Sequence, residues 1–281
     1  MKDGIMTLNI PSVKLANGVE MPAIGLGTWP MDDVEASSAV STAIGMGYRM
    51  VDTAENYRNE VGVGEGIRRS GVPRSEIFVT TKFNREWHSI QGVRAACEAS
   101  LSRLKVDYVD LLLIHWPNPD QGGYVAAFEG LTRVLDAGLA RSIGVSNFKP
   151  AHLQKLSDAG FEPHLNQIQL DPYHRRQDVV AIHQAKGIVT AAWSPLGRGN
   201  GLLTDPVIGA IAVSHDRTPA QVVLRWHAAL GYVSVPKSSD PERQLQNLSI
   251  FDFDLSPSEL DLLNSFEESN EEILDSDVVG H

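Results

Sequence analysis

Val109-Asp110-Leu111-Leu112-Leu113-Ile114 is a short, largely apolar run stopped at once by His115-Trp116-Pro117. A polar connector, Lys105-Val106-Asp107, precedes it. Such a run reads as a strand that looks buried. Seven more runs lie on either side of it, at residues 23–26, 49–51, 77–80, 142–145, 165–168, 189–193 and 232–235. Amphipathic segments of helical period separate them, at 34–46, 90–104, 124–135, 152–159, 178–185 and 219–229. Pro219 after Thr218 marks a capped helix start. Before the series, residues 13–21 alternate around Asn17-Gly18, which predicts a hairpin with a type I′ turn. Strand and helix in strict alternation imply a parallel sheet. Eight units predict a (β/α)8 barrel, with a doubly wound open sheet as the alternative.

Length and composition agree. The 281 residues suit one barrel or two smaller domains. No linker or low-complexity stretch breaks the series, so residues 1–281 are expected to form one domain ending in an acidic segment from about 267. The net charge of −11 argues against a nucleic-acid partner. From Gln244 onward there are ten acidic residues and no Lys or Arg, so the acidity belongs to the chain's end. Cys97 stands alone, which excludes an intramolecular disulfide and a paired-cysteine zinc site. No HExxH occurs, and no metal is expected. The N-terminus lacks an apolar core of signal-peptide length, and the longest apolar run cannot cross a bilayer. A cytoplasmic monomer without membrane contact is the expectation.

The residues that end the runs are polar: Gly27-Thr28, Asp52, Lys82, His115, Ser146-Asn147, Gln167 or Gln169, Ser194 and Lys237-Ser238. In a barrel all eight ends share one face, where active sites are built. Asp52 and Lys82, on neighbouring strands, are placed to pair. Tyr57 follows Asp52 by five residues. A phenol has a pKa of about 10, and a nearby ammonium is expected to lower it. Tyr57 then reads as a proton donor to a carbonyl, with His115 bonding the same oxygen. Gly25-Leu26-Gly27-Thr28-Trp29-Pro30 lacks the third glycine of a dinucleotide fingerprint, so a Rossmann site is set aside.

At these residues the sequence resembles the aldo-keto reductase family, and most closely its prokaryotic group containing 2,5-diketo-D-gluconate reductases. Gly47-Tyr48-Arg49-Met50-Val51-Asp52-Thr53-Ala54-Glu55-Asn56-Tyr57, with Glu60 and Gly64, is similar to the first family signature. Leu112-Leu113-Ile114-His115-Trp116-Pro117 and Ile143-Gly144-Val145-Ser146-Asn147-Phe148 resemble the fourth- and fifth-strand motifs. Asn166-Gln167-Ile168-Gln169-Leu170, Trp193-Ser194-Pro195-Leu196-Gly197 and Pro236-Lys237-Ser238 resemble those of the sixth, seventh and eighth strands. The likeness runs from the hairpin to about Phe266.

The resemblance implies NADPH-dependent reduction of aldehydes and ketones, such as dicarbonyls, keto-sugars or aromatic aldehydes. It implies a catalytic tetrad of Asp52, Tyr57, Lys82 and His115, with Tyr57 as general acid. Ser146, Asn147 and Gln167 would hold the nicotinamide carboxamide, and Trp193 would stack on its ring. Gly27, Thr28, Trp29, Asp52, Ser194 and Leu196 would line the cofactor. Gly197 and Arg198, in a glycine-rich loop, would meet the pyrophosphate. Lys237, Ser238, Ser239 and Arg243 would surround the 2′-phosphate, and Gln246 and Asn247 the adenine.

Trp29, Trp87 and Trp116, each after a strand, are expected to wall the substrate pocket beside His115. Phe83-Asn84-Arg85-Glu86-Trp87 departs from the family's usual stretch after the catalytic lysine. Arg85 reads equally as a partner for a substrate carboxylate and as a solvated charge. Two other functions compete with this one: a slow, NADPH-binding redox-sensing subunit, and a hydrolase on the same barrel. The second needs paired acids at strand ends, and Asp52 alone qualifies.

Overall fold

The computed structural model describes residues 10–268 and 273–280. Most of the N-terminal stretch read for a signal peptide lies outside the described residues, as do residues 269–272 and 281 of the acidic end. Among the described residues no helix is long and apolar enough to cross a membrane.

The chain opens with antiparallel β1 (Ser12–Lys14) and β2 (Glu20–Pro22). Their turn is not type I′. The Gly18 N–H donates to Leu15 O at 2.8 Å, and within the turn only Gly18 takes a left-handed φ, of 87°. That is a type I turn followed by a left-handed glycine, because Asn17 stays on the negative-φ side.

Eight strands follow. They are β3 (Leu26–Gly27), β4 (Met50–Asp52), β5 (Phe78–Phe83), β6 (Val109–Ile114), β7 (Ala140–Ser146), β8 (Leu165–Gln169), β9 (Val189–Trp193) and β10 (Val233–Ser234). They pair in sequence order, all parallel. Parallel bridges Ile24–Ser234 and Gly27–Lys237 join the first to the last and close the barrel. The open-sheet alternative falls with that closure. Gly27 allows the seam, since a Cβ there would sit 2.6 Å from Val235 O.

The helices are α1 (Asp33–Met46), α2 (Glu60–Arg69), α3 (Ile90–Leu104), α4 (Tyr124–Asp136), α5 (Pro150–Asp158), α6 (Gln177–Lys186), α7 (Pro206–Ser214), α8 (Pro219–Ala229), α9 (Pro241–Leu248) and α10 (Pro257–Asn264). Helix α7 is an extra element between β9 and α8. Helix α2 forms despite its glycines, which lower helix propensity by about 1 kcal/mol each. The packing needs them. A Cβ at Gly62 would lie 2.1 Å from Asp33 O, and one at Gly64 would lie 2.1 Å from Leu104 O.

Strand β6 shows how a continuous apolar run serves two cores. Leu112 and Ile114 pack outward among the helices, whereas Leu111 and Leu113 join Met50, Phe78 and Leu165 inside the barrel. Leu15 and Met21 of the hairpin belong to that inner cluster, which places β1 and β2 as a plug at one end. The register carries the inward parity across the sheet. Met50 pairs with Phe78, Asp52 with Thr80, Thr80 with Leu111 and Lys82 with Leu113. Asp52 and Lys82 therefore continue the inward-facing rows at the carboxyl ends of their strands.

Candidate active site

The inward rows end in charge. Lys82, 1 % exposed, donates to Asp52 Oδ1 at 2.5 Å, to Thr53 O at 2.9 Å and to Tyr57 Oη at 3.4 Å. Asp52 Oδ2 accepts from Gln167 Nε2 at 2.8 Å. A buried carboxylate thus has a donor on each oxygen, which its burial demands. Tyr57 stands on a single turn of 3₁₀ helix, Glu55–Tyr57. Its ring lies 5.0 Å from the Lys82 ammonium and edge-on to His115 at 5.8 Å. His115 extends β6, its N–H donating to Phe83 O at 3.1 Å.

Burial pulls the Lys82 ammonium down, but Asp52 and Tyr57 more than offset it and leave its pKa raised. Burial is also the largest influence on Tyr57 and leaves the phenol above its ordinary value. Lys82 lowers it and Asp52 raises it again. The expected net lowering is thereby corrected: Asp52 counters much of the ammonium's field, and desolvation of the phenolate dominates. The result is a phenol that stays protonated at neutral pH, with a cation ready for its conjugate base.

Asp52, Tyr57 and His115 open on a cavity of about 560 Å³. Ser146, Asn147, Gln167 and Trp193 line the same cavity, as do Gly27, Thr28 and Trp29. Ser194, Leu196, Arg198, Lys237 and Trp116 complete the set of expected residues that it gathers. Asn147, at a left-handed φ of 64°, is held as a clamp. Its Nδ2 donates to His115 O and Ser146 Oγ at 3.0 Å each, and its Oδ1 accepts from Trp193 Nε1 at 2.8 Å. That last bond fixes the Trp193 indole as a flat wall. Arg198 lies over the Trp29 ring at 5.1 Å.

Other expected residues lie outside that lining. Gly197 is behind the loop, where a Cβ would meet Asn200 Oδ1 at 2.2 Å. Ser238, Ser239 and α9, carrying Arg243, Gln246 and Asn247, continue from Lys237 at one end of the cavity. Buried Gln244 binds this end, its Nε2 donating to Ser238 O at 2.8 Å and Ala39 O at 3.2 Å. Gln246 donates to Glu242 Oε1, and Arg243 is exposed.

Trp87 does not wall the pocket. Its indole N–H donates to the Glu55 carboxylate at 3.0 and 3.1 Å, and its ring packs on the outer core. The 3₁₀ turn Arg85–Trp87 aims it there, and Arg85 is exposed away from the lining. Glu60 braces the same region, accepting from Thr81 Oγ1 and Arg103 Nε at 2.6 Å each.

The cavity also uses Pro30, Asn56, Pro195, Val235, Pro236 and Leu274, which sequence reasoning missed. Asn56 was findable from its place between Asp52 and Tyr57. Leu274 had no signal at all, being far from any strand end.

A profile described as the aldo/keto reductase family matches residues 23–268. A protein named morphine 6-dehydrogenase from Pseudomonas putida is 46% identical over 271 residues, covering 92% of this chain and 91% of its own. Methylglyoxal reductase DkgA of Yersinia pestis is 44% identical, with 89% and 90% covered. Among solved structures, an aldo-keto reductase of Bombyx mori in complex with NADP superposes with a TM-score of 0.87 at 34% identity, covering 95% of each chain.

Proposed function

The chain belongs to the aldo/keto reductase family, and from that premise we propose that it reduces uncharged aldehydes and ketones to alcohols with NADPH. The observation that carries the reading is the Tyr57 hydroxyl, facing the cavity and held against the Lys82–Asp52 pair. The family's cofactor fits the residues present. Trp193 is a locked aromatic wall suited to the nicotinamide, beside the amides of Asn147 and Gln167 and the hydroxyl of Ser146. Arg198 would meet the pyrophosphate. Lys237, Ser238, Ser239 and Arg243 would take the 2′-phosphate, for which a guanidinium offers a two-pronged donor. Gln246 and Asn247 would border the adenine.

When bound, NADPH supplies the hydride. The chain's residues do the rest. His115 and Tyr57 orient the carbonyl oxygen within reach of the Tyr57 proton. Tyr57 Oη gives that proton to the oxygen as negative charge develops there, and Lys82 stabilises the phenolate that remains. Asp52 keeps Lys82 charged and aimed. Gln167 links the two halves of the site, since its Nε2 bonds Asp52 while its side chain lines the cavity.

Of the residues lining the cavity, Trp29, Pro30, Asn56, Trp116 and Leu274 are uncharged. Among the described lining residues the exposed cations are Arg198 and Lys237, both assigned to phosphates. A carboxylate on the substrate would enter without a partner, which is costly in an apolar site. Benzaldehyde should therefore exceed 4-formylbenzoate in kcat/KM by about tenfold or more, ~1.4 kcal/mol. Equal values would sink the preference for uncharged substrates. Absence of NADPH oxidation with any aldehyde, ketone or dicarbonyl would sink the reductase reading itself.

A further inference from the structure

The end of the chain touches the active-site face through contacts that no step of the reaction uses. Leu274 lines the cavity, and its N–H reaches Gln169 Oε1 at 3.5 Å. The next residues fold into a tight turn. The Asp277 N–H donates to Asp275 Oδ1 at 2.9 Å, and Val278 and Val279 donate to Asp275 O. This turn presents two carboxylates to one cation. Lys149 Nζ bonds Asp275 and, at 2.7 Å, Asp277. His152 Nε2 meets the other oxygen of Asp277 at 2.8 Å.

The receptor is rigid. The Lys149 N–H donates to His152 Nδ1 at 3.1 Å, so the ring's proton resides on Nε2 and points at Asp277. The His152 ring packs edge-on against Tyr124 and Phe148, both at 5.7 Å. Lys149 caps α5 and lies two residues beyond Asn147, on the loop that carries the cavity's amide clamp. Farther along, Gly280 presses on Asn118, in the loop after β6, where a Cβ would lie 2.3 Å from Asn118 Nδ2. Ser276, between Asp275 and Asp277 in the sequence, is 3% exposed.

We propose that Lys149 and His152 are positioning residues, a clasp that grips Asp275 and Asp277 and so holds Leu274 as a wall of the substrate cavity. The proposal rests on that cavity being the carbonyl site. The clasp acts on substrate fit and leaves proton transfer at Tyr57 untouched. Its ion pairs are partly exposed, with 29% of the Lys149 side chain accessible, so salt weakens them.

The test compares the full chain with Lys149→Met, Lys149→Arg and Asp277→Asn. Steady-state kinetics use benzaldehyde and the bulkier 2-naphthaldehyde, and hydrogen exchange follows residues 273–280. Lys149→Met and Asp277→Asn should raise the benzaldehyde KM about threefold or more with kcat within about twofold, the pattern of lost uniform binding. Both should narrow the preference for benzaldehyde over 2-naphthaldehyde. Exchange at 273–280 should quicken by about tenfold, and Lys149→Arg should restore wild-type values. Wild-type protein in high salt, at saturating NADPH, should move toward Lys149→Met, and the NADPH affinity of the variants should match wild type at equal salt. Unchanged exchange and KM in both variants would overturn the clasp, as would a fall in kcat at constant KM. If the wild type turns over no carbonyl, the reductase reading fails, and the exchange arm decides the clasp unaided.

Discussion

Tyr57→Phe removes one oxygen and leaves the ring. The bond lost is long, 3.4 Å from Lys82 Nζ, and Lys82 keeps Asp52 at 2.5 Å and Thr53 O at 2.9 Å. The contacts of the ring with Lys82 and His115 survive. A hydrogen bond contributes about 0.5–1.5 kcal/mol net, and a long one stands at the low end. Stability should therefore change by under about 1 kcal/mol. Catalysis should fall far more, since a positioned general acid contributes about 10²–10⁴-fold, or ~2.7–5.4 kcal/mol of barrier. Three measurements separate these effects: kcat for benzaldehyde, NADPH affinity by fluorescence titration, and the urea midpoint. The pH profile supplies a fourth. With Tyr57 as the proposed acid the protonated phenol is the active form in reduction, so activity should persist through neutrality and be lost as pH rises through the folded-state pKa. Burial places that limb high, and Lys82 draws it down. Lys82→Met should move it upward while lowering kcat. A Tyr57→Phe rate within about tenfold of wild type would refute the assigned acid. So would a loss of NADPH binding as large as the loss of rate.

Two further outcomes follow from the geometry. The Arg243 side chain is exposed while its backbone N–H is anchored to Asp240 Oδ1 at 3.1 Å. Arg243→Ala should thus leave the fold intact and weaken NADPH about tenfold or more, through loss of charge-assisted bonds, with NADH nearly unaffected; equal weakening of both would remove the 2′-phosphate role. Burial holds His183 and His227 at about 4, below the ordinary histidine value. The unfolded chain takes up these protons near pH 6.5 and the folded chain only near 4, so stability falls as pH drops through that window, by about 3 kcal/mol per histidine. Urea midpoints that stay level from pH 6.5 to 4.5 would contradict this.

The legible part of the molecule is the part governed by period and register. A parallel barrel buries each strand on both faces, so runs such as 109–114 stand out, and the inward parity that places Leu111 and Leu113 also places Lys82 beside them. Because the carboxyl ends of parallel barrel strands share one face, Asp52, Lys82, His115, Ser146 and Gln167 are readable as one site from the sequence. What escaped is governed by contacts without a period. The glycines of helix α2 weaken its helical signal because they answer to Asp33 and Leu104, on other helices. Trp87 reads as a pocket wall because nothing local announces that Glu55 captures its indole. Leu274 is the extreme case. It is placed by pairs between Lys149 and residues over 120 positions away. The same pairs bear on the uneven charge of the chain. An acid stands at the end assigned to the phosphates, where Glu35 Oε1 accepts from Lys237 Nζ at 3.2 Å. Two of the acids at the chain's end are spent on Lys149 and His152, on the loop after β7, while Lys237 and Arg243 hold the other end of the cavity. The acidity at the chain's end is thus partly neutralised on the active-site face, and Lys237 would meet a 2′-phosphate by exchanging Glu35 for it.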